Sequence, residues 1–262
     1  MRVIVTGAAS GIGRATAIRL ARDAVNRGRT AQILLVDIAK EKLDETAALV
    51  RAEKARAEVY AADLSDAAVA ARVIDAARRA FDGLDALVSN AGVIQRSALL
   101  DLSVADYERS FAINTRATWL LAKAAHPMLA AAKGSVVATA SISGHEPTPP
   151  LGAYSASKAA LIMLVRQMAV EWGPDGIRCN TVSPGSTHTA MTDARYSDPV
   201  QREAAAQRSP LRMVGLPENQ AAAIAFLVGP DAAFITGVDL LVDGGLSTML
   251  MPASGFGDPW RK

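Results

Sequence analysis

The order of hydrophobic patterns constrains this chain most. Short runs rich in Val, Ile, Leu and Ala alternate with amphipathic helical stretches along nearly its whole length, with no linker or composition break between them. Strands are expected at Arg2–Thr6, Gln32–Val36, Ala57–Ala61, Ala86–Ser89, Ser135–Ala140, Ile177–Val182 and Asp239–Val242. Helices are expected from Gly13 to about Asn26 and at Lys40–Glu53, Ala67–Phe81, Ser103–Ala132, Ala156–Trp172 and Pro217–Val228. Strands joined through helices run parallel, because the right-handed crossover brings the chain back to the same end of the sheet. The expected fold class is therefore α/β: one doubly wound domain over residues 1–262, with a parallel sheet of about seven strands and helices on both faces.

Composition agrees and excludes several functions. Half of the residues are hydrophobic and only 5% are aromatic, as expected where aliphatic strands are covered on both faces. The net charge is +2 with no basic block, so a nucleic-acid partner is not expected. Cys179 is the only cysteine, which excludes an internal disulfide and fits a reducing compartment. The N-terminus enters Val3-Ile4-Val5 directly, and no apolar run approaches membrane-spanning length, so the expectation is a cytoplasmic protein without a membrane partner. His126, His145 and His188 lie far apart, outside any cluster of ligand spacing, and no metal site is expected.

Three features carry chemistry. After the first strand comes Gly7-Ala-Ala-Ser10-Gly11-Ile12-Gly13; its glycines permit a tight turn and close approach to a pyrophosphate, and the following helix aims free N–H groups at that anion. At the end of the second strand, Asp37 can accept hydrogen bonds from the adenosine ribose and repel a 2′-phosphate, favouring NAD over NADP; its competing role is to cap the following helix. None of Ser10, Ile38 and Ala39 offers a basic partner for such a phosphate, although Arg14 could still approach one. Third, Tyr154 and Lys158 lie one helical turn apart, so that an ammonium stands beside a phenol and lowers its pKa, with Ser141 placed at the end of the preceding strand. Gly7, Asp37, Asp63, Asn90, Ser141 and Thr189 all follow strands at their carboxyl ends, the edge where open parallel sheets bind ligands.

Together these residues resemble the short-chain dehydrogenase/reductase family, from Arg2 to about Leu246. Further matches are Asp63-Leu64, similar to an adenine-contacting pair; Ser89-Asn90-Ala91-Gly92, with Ser89 in place of the usual Asn; Asn114 on the long helix; and Pro184-Gly185-x-Thr187-x-Thr189, resembling a nicotinamide-binding turn. Thr236-Gly237 and Val242-Asp243-Gly244-Gly245 resemble the C-terminal signature.

The resemblance implies a Rossmann domain and reversible hydride transfer between NAD and a secondary alcohol or ketone. Tyr154 would be the general acid/base, Lys158 would lower its pKa and bind the nicotinamide ribose, Ser141 would hold the substrate oxygen, and Asn114 would position a relay water. It also implies a homotetramer or a dimer. Ser183–Thr187 and His145-x-Pro147 resemble 2,3-dihydro-2,3-dihydroxybenzoate dehydrogenases, suggesting a small cyclic or polyhydroxylated substrate, although Thr148 replaces their Arg. Substrate contacts are expected from Ser141, Gln95, His145 and Met191, with residues 190–212 as a lid. Between Gly13 and Asp37 there are more residues than the family usually allows, so that 26–30 reads as a surface extension, and the tail at 249–262 is expected to be either disordered or laid across a neighbouring subunit. An NADPH-dependent ketone or 3-oxoacyl reductase and a non-catalytic NAD sensor are the alternative functions.

Overall fold

The structure is a computed structural model that describes residues 1–249; the tail beyond Met249 lies outside the described residues. Its centre is a seven-stranded parallel sheet of β1 (Arg2–Thr6), β2 (Gln32–Asp37), β3 (Arg56–Ala61), β4 (Ala86–Ser89), β5 (Ser135–Thr139), β6 (Arg178–Pro184) and β7 (Asp239–Val242). The strand order is β3-β2-β1-β4-β5-β6-β7, all neighbours parallel. The order reverses between β1 and β4, leaving a crevice at the carboxyl ends of those strands.

Alternating side chains build two cores. Ile4, Leu34, Leu87 and Val136 face one layer, with α3 (Val69–Ala80), α5 (Ala117–Ala132) and α6 (Tyr154–Trp172); Val3, Val5, Ile33, Leu35 and Val88 face the other, with α1 (Gly11–Asn26), α2 (Lys40–Ala52) and α9 (Pro217–Val228). The inner strands are buried on both faces, which is why β1, β2 and β4 read as apolar runs, whereas the edge strands β3 and β7 are partly exposed.

The long helix expected at Ser103–Ala132 is interrupted. It consists of α4 (Val104–Phe111), one π turn (Ala112–Arg116) and α5. Ser103 caps α4, its hydroxyl accepting from the Asp106 N–H at 3.1 Å. The segment expected to be a lid contains two short helices, α7 (Asp193–Tyr196) and α8 (Pro199–Ala206). Asp198 caps α8 by accepting from Val200 N, and Pro199 occupies the first turn. At the extension after α1, Gly28 takes φ +67° and Arg27 pairs with Asp231 at 2.8 Å. No helix among the described residues is long and apolar enough to cross a membrane.

Candidate active site

A cleft of about 520 Å³ opens at the β1/β4 reversal. Gly7, Ser10, Gly11, Ile12, Asp37, Asn90, Ala91, Gly92, Ser141, Tyr154, Lys158, Pro184, Gly185, Thr187, Thr189 and Met191, drawn from residues far apart in sequence, all line it.

Its floor is the glycine turn. Gly7 has φ +64°, and a Cβ there would lie 2.8 Å from Asn90 Nδ2 and 2.9 Å from the Ala91 backbone. Gly13 is outside the lining and serves the turn differently: its Cβ would fall 2.1 Å from the Gly7 carbonyl oxygen, so only glycine lets α1 start against this loop. Thr6 Oγ1 accepts from the N–H groups of Asn90 and Ala91 at 3.0 and 3.1 Å, tying β1 to the β4 loop. The Thr139 hydroxyl donates to Asn90 Oδ1 at 3.0 Å, extending the link to β5.

Asp37 ends β2 with its carboxylate accepting from Ala9 N at 3.1 Å and Ala39 N at 3.2 Å. It therefore braces the glycine turn while bordering the cleft. Arg14 faces away, donating to Ala9 O, Thr46 Oγ1 and Glu45 Oε2 at 2.6, 2.9 and 2.9 Å. Asp63 and Leu64 are not in the cleft lining. Asp63 accepts from Ser65 N at 2.8 Å, which together with the Ser65 hydroxyl holds its carboxyl below the usual carboxylate range, and Leu64 is packed in a core.

At the other wall, α6 begins at Tyr154 itself, so the phenol projects from the first helical turn. Ser141 is buried just after β5, its Oγ accepting from Ser143 N at 3.1 Å. Lys158 is 3% exposed and donates to Thr139 O at 2.7 Å, with Nζ 5.8 Å from the centre of the Tyr154 ring.

Burial pulls the Lys158 ammonium down to about 8. Burial also raises the Tyr154 phenol above its ordinary value, and the neighbouring Ser141 hydroxyl opposes that rise. The expected lowering of the Tyr154 pKa by Lys158 is not found: burial raises it, the Ser141 hydroxyl is what opposes the rise, and the Lys158 hydrogen bond goes to a β5 carbonyl.

Asn114 sits in the π turn, 1% exposed. It accepts from Val93 N at 2.8 Å and donates to Val93 O and Ser157 Oγ, each at 3.0 Å. It locks the loop after Gly92 onto α6; π turns recur at functional sites because they reorient one side chain within a helix.

Two expected substrate contacts lie elsewhere. Gln95 is outside the lining, while its neighbours Ile94 and Arg96 are in it. His145 is also outside it, hydrogen-bonded through Nε2 to Asp239 Oδ2 at 2.5 Å, next to Ser183 Oγ, which donates to Oδ1 of the same carboxylate at 2.9 Å. Arg96, Arg195 and Arg208 border the cleft without having been singled out by any sequence motif.

Residues 7–247 match the family model described as enoyl-(acyl carrier protein) reductase. The chain is 38% identical over 248 residues to cis-4-hydroxycyclohexanecarboxylate dehydrogenase of Sinomonas cyclohexanicum, covering 94% of this chain and 96% of that one. A solved short-chain type dehydrogenase/reductase from Mycobacterium marinum superposes with a TM-score of 0.86 at 28% identity, covering 95% and 96% of the two chains. A solved structure from Agrobacterium tumefaciens with bound NADP has a TM-score of 0.84 at 29% identity, covering 95% and 96%. This protein belongs to the short-chain dehydrogenase/reductase family. It is an oxidoreductase acting on CH–OH groups, of a family that uses nicotinamide cofactors.

The residues present fit a nicotinamide dinucleotide. The glycine turn leaves backbone, rather than Cβ atoms, facing the cleft at the start of α1, where free N–H groups suit a pyrophosphate. A carboxylate stands at the end of β2, and the buried lysine and serine flank the tyrosine.

Proposed function

We propose that the enzyme oxidises a small cyclic or polyhydroxylated secondary alcohol with NAD, reversibly, using Tyr154 as general acid/base. The observation that carries this reading is the convergence of Tyr154, Ser141 and Lys158 on the same cleft that Asp37 borders.

In the proposed assignment, Gly7, Ser10, Gly11 and Ile12 hold the pyrophosphate and Asp37 the adenosine ribose. Asn90, Ala91 and Gly92 form the wall between them. Pro184, Gly185, Thr187 and Thr189 hold the nicotinamide end, and Lys158 with Tyr154 its ribose. The bound nicotinamide supplies the hydride acceptor. Ser141 donates a hydrogen bond to the substrate oxygen and fixes the carbinol carbon in place. Tyr154 takes the hydroxyl proton as the carbonyl forms, and returns it when the reaction runs backwards. Lys158, held by Thr139 O, stands beside Tyr154 to bind the nicotinamide ribose, and Asn114 secures the loop and α6 that frame the proton's exit.

NAD is favoured because Asp37 would oppose a 2′-phosphate and Arg14 is committed to Glu45 and Thr46. NADPH-dependent ketone reduction is the second reading, supported by the NADP bound in the Agrobacterium structure. A homotetramer is supported by exposed apolar residues on two faces: Val104, Tyr107, Trp119 and Met163 on α4–α6, and Phe226, Phe234 and Leu241 near α9 and β7. The free, buried thiol of Cys179 accords with a cytoplasmic location.

The test is the initial rate of NADH or NADPH formation across cyclic diols, sugars, hydroxy acids and simple secondary alcohols at pH 8–9. Turnover with NAD on one class is expected. Turnover with NADP alone would refute the assignment of Asp37.

A further inference from the structure

The substrate half of the cleft is cationic. Among the described residues its cationic lining consists of Arg96, Lys158, Arg195 and Arg208, and the only acidic residue lining it is Asp37, at the end of β2. Arg96 follows the β4 loop, Arg195 lies on α7, and Arg208 follows α8, so three separate segments each bring a guanidinium to one opening. Among the described residues, none of the three makes an ion pair or donates a side-chain hydrogen bond, whereas Arg2, Arg14, Arg22 and Arg27 all pair with carboxylates. The nearest aromatic contact is Arg195 over Tyr196, at 5.5 Å. Arg96 and Arg195 also border an adjoining cavity of about 430 Å³ with Met191, Thr192 and Gln201, so the two stand together at the mouth.

Unpaired like charges at one opening repel each other and gain from an anion placed between them. A guanidinium fork matches the geometry of a planar or tetrahedral oxyanion bidentately. Ser143 and Thr148, also in the lining, are hydrogen-bonded to each other at 2.9 Å and carry no charge.

We propose that the physiological substrate is a secondary alcohol bearing an oxyanion, a carboxylate or a sulfonate, recognised by Arg96 and Arg195 at the mouth while its hydroxyl meets Tyr154 and Ser141. Arg208 adds positive field from the opposite segment. The proposal rests on the dehydrogenase reading above and names its substrate class.

The probes are 4-hydroxycyclohexanecarboxylate, the matching sulfonate and the uncharged 4-hydroxycyclohexanecarboxamide, compared by kcat/KM in the wild-type enzyme and in Arg96→Gln, Arg195→Gln and the double variant. Binding of the non-reacting cyclohexanecarboxylate and cyclohexanecarboxamide to the enzyme–NADH complex is measured by NADH fluorescence. The wild type should prefer an anionic probe by roughly thirtyfold or more. That preference should fall towards unity in the double variant and shrink when salt screens it. The carboxylate and sulfonate arms identify which oxyanion fits.

Equal kcat/KM for charged and neutral probes, with NADH still formed, would overturn the anion site and leave the dehydrogenase reading standing. No NADH from any alcohol, combined with carboxylate-selective binding that the double variant loses, would support the anion site and count against that reading. Loss of NADH affinity by tenfold in the double variant would assign these arginines to the cofactor's phosphates and overturn the proposal.

Discussion

Asp37→Asn separates the two parts that Asp37 plays. The wild-type carboxylate accepts from Ala9 N at 3.1 Å and from Ala39 N at 3.2 Å, one oxygen to each. Asparagine has a single acceptor oxygen, so one backbone amide faces an NH₂ group instead. The fold should lose about 1–2 kcal/mol, which leaves a folded protein.

The effect on nucleotide choice should be larger. Hydrogen bonds to a charged acceptor contribute about 1.5–3 kcal/mol each, and weakening those to the ribose should lower kcat/KM with NAD roughly tenfold or more. Two like charges about 5 Å apart repel by about 1–3 kcal/mol at effective dielectric constants of roughly 20–80, so removing one should raise NADP use by roughly five- to a hundredfold. The ratio of kcat/KM values for NAD and NADP should therefore shift by roughly two orders of magnitude. The assay is initial velocity on one alcohol with each nucleotide, with circular dichroism to confirm folding. A ratio within threefold of wild type, in a folded variant, would refute the assignment of Asp37 to the ribose.

Three further outcomes follow from the geometry. Lys158 is about 8 in the native protein against an ordinary value of 10.5, so between those limits the unfolded chain binds more protons and stability rises with pH. Urea midpoints of wild type relative to Lys158→Met should climb from pH 8 to pH 10, and a pH-independent difference would contradict the burial argument. Gly13→Ala places a Cβ 2.1 Å from the Gly7 oxygen; it should abolish NADH binding in titration calorimetry or prevent folding, and a folded variant with normal affinity would refute the close-packing account. His145→Ala should cost about 1–2 kcal/mol in thermal melts, because Asp239 has only 1% of its side chain exposed and loses a donor, while KM changes less than twofold. A large KM change with unaltered stability would return His145 to substrate binding.

The fold was legible where side-chain period and burial coincide. Val3, Ile4 and Val5 read as a strand because alternate residues enter opposite cores, and Pro217 announced the start of α9. The π turn was not legible: five residues of wider helix leave no distinct apolar period, so Asn114 could be placed on a helix but its bonds to Val93 and Ser157 could not be foreseen. Helix α7 is only four residues long, too short for periodicity. Within the site, motif residues that act through their own spacing, such as Tyr154 and Lys158, emerged from sequence. Those set by distant partners did not. Lys158 is fixed by a carbonyl of β5, and His145 by an aspartate 94 positions away. The arginine cluster joins segments after β4 and β6 that only the sheet order brings together.

The central claim is that Tyr154 moves the proton in hydride transfer. Its most direct test is Tyr154→Phe, assayed for NADH formation on the best alcohol found, with NADH affinity measured in parallel. The account predicts a loss of roughly a thousandfold in kcat with NADH affinity kept within severalfold, since the phenyl ring retains the shape but not the hydroxyl. A variant that turns over within tenfold of wild type would contradict it.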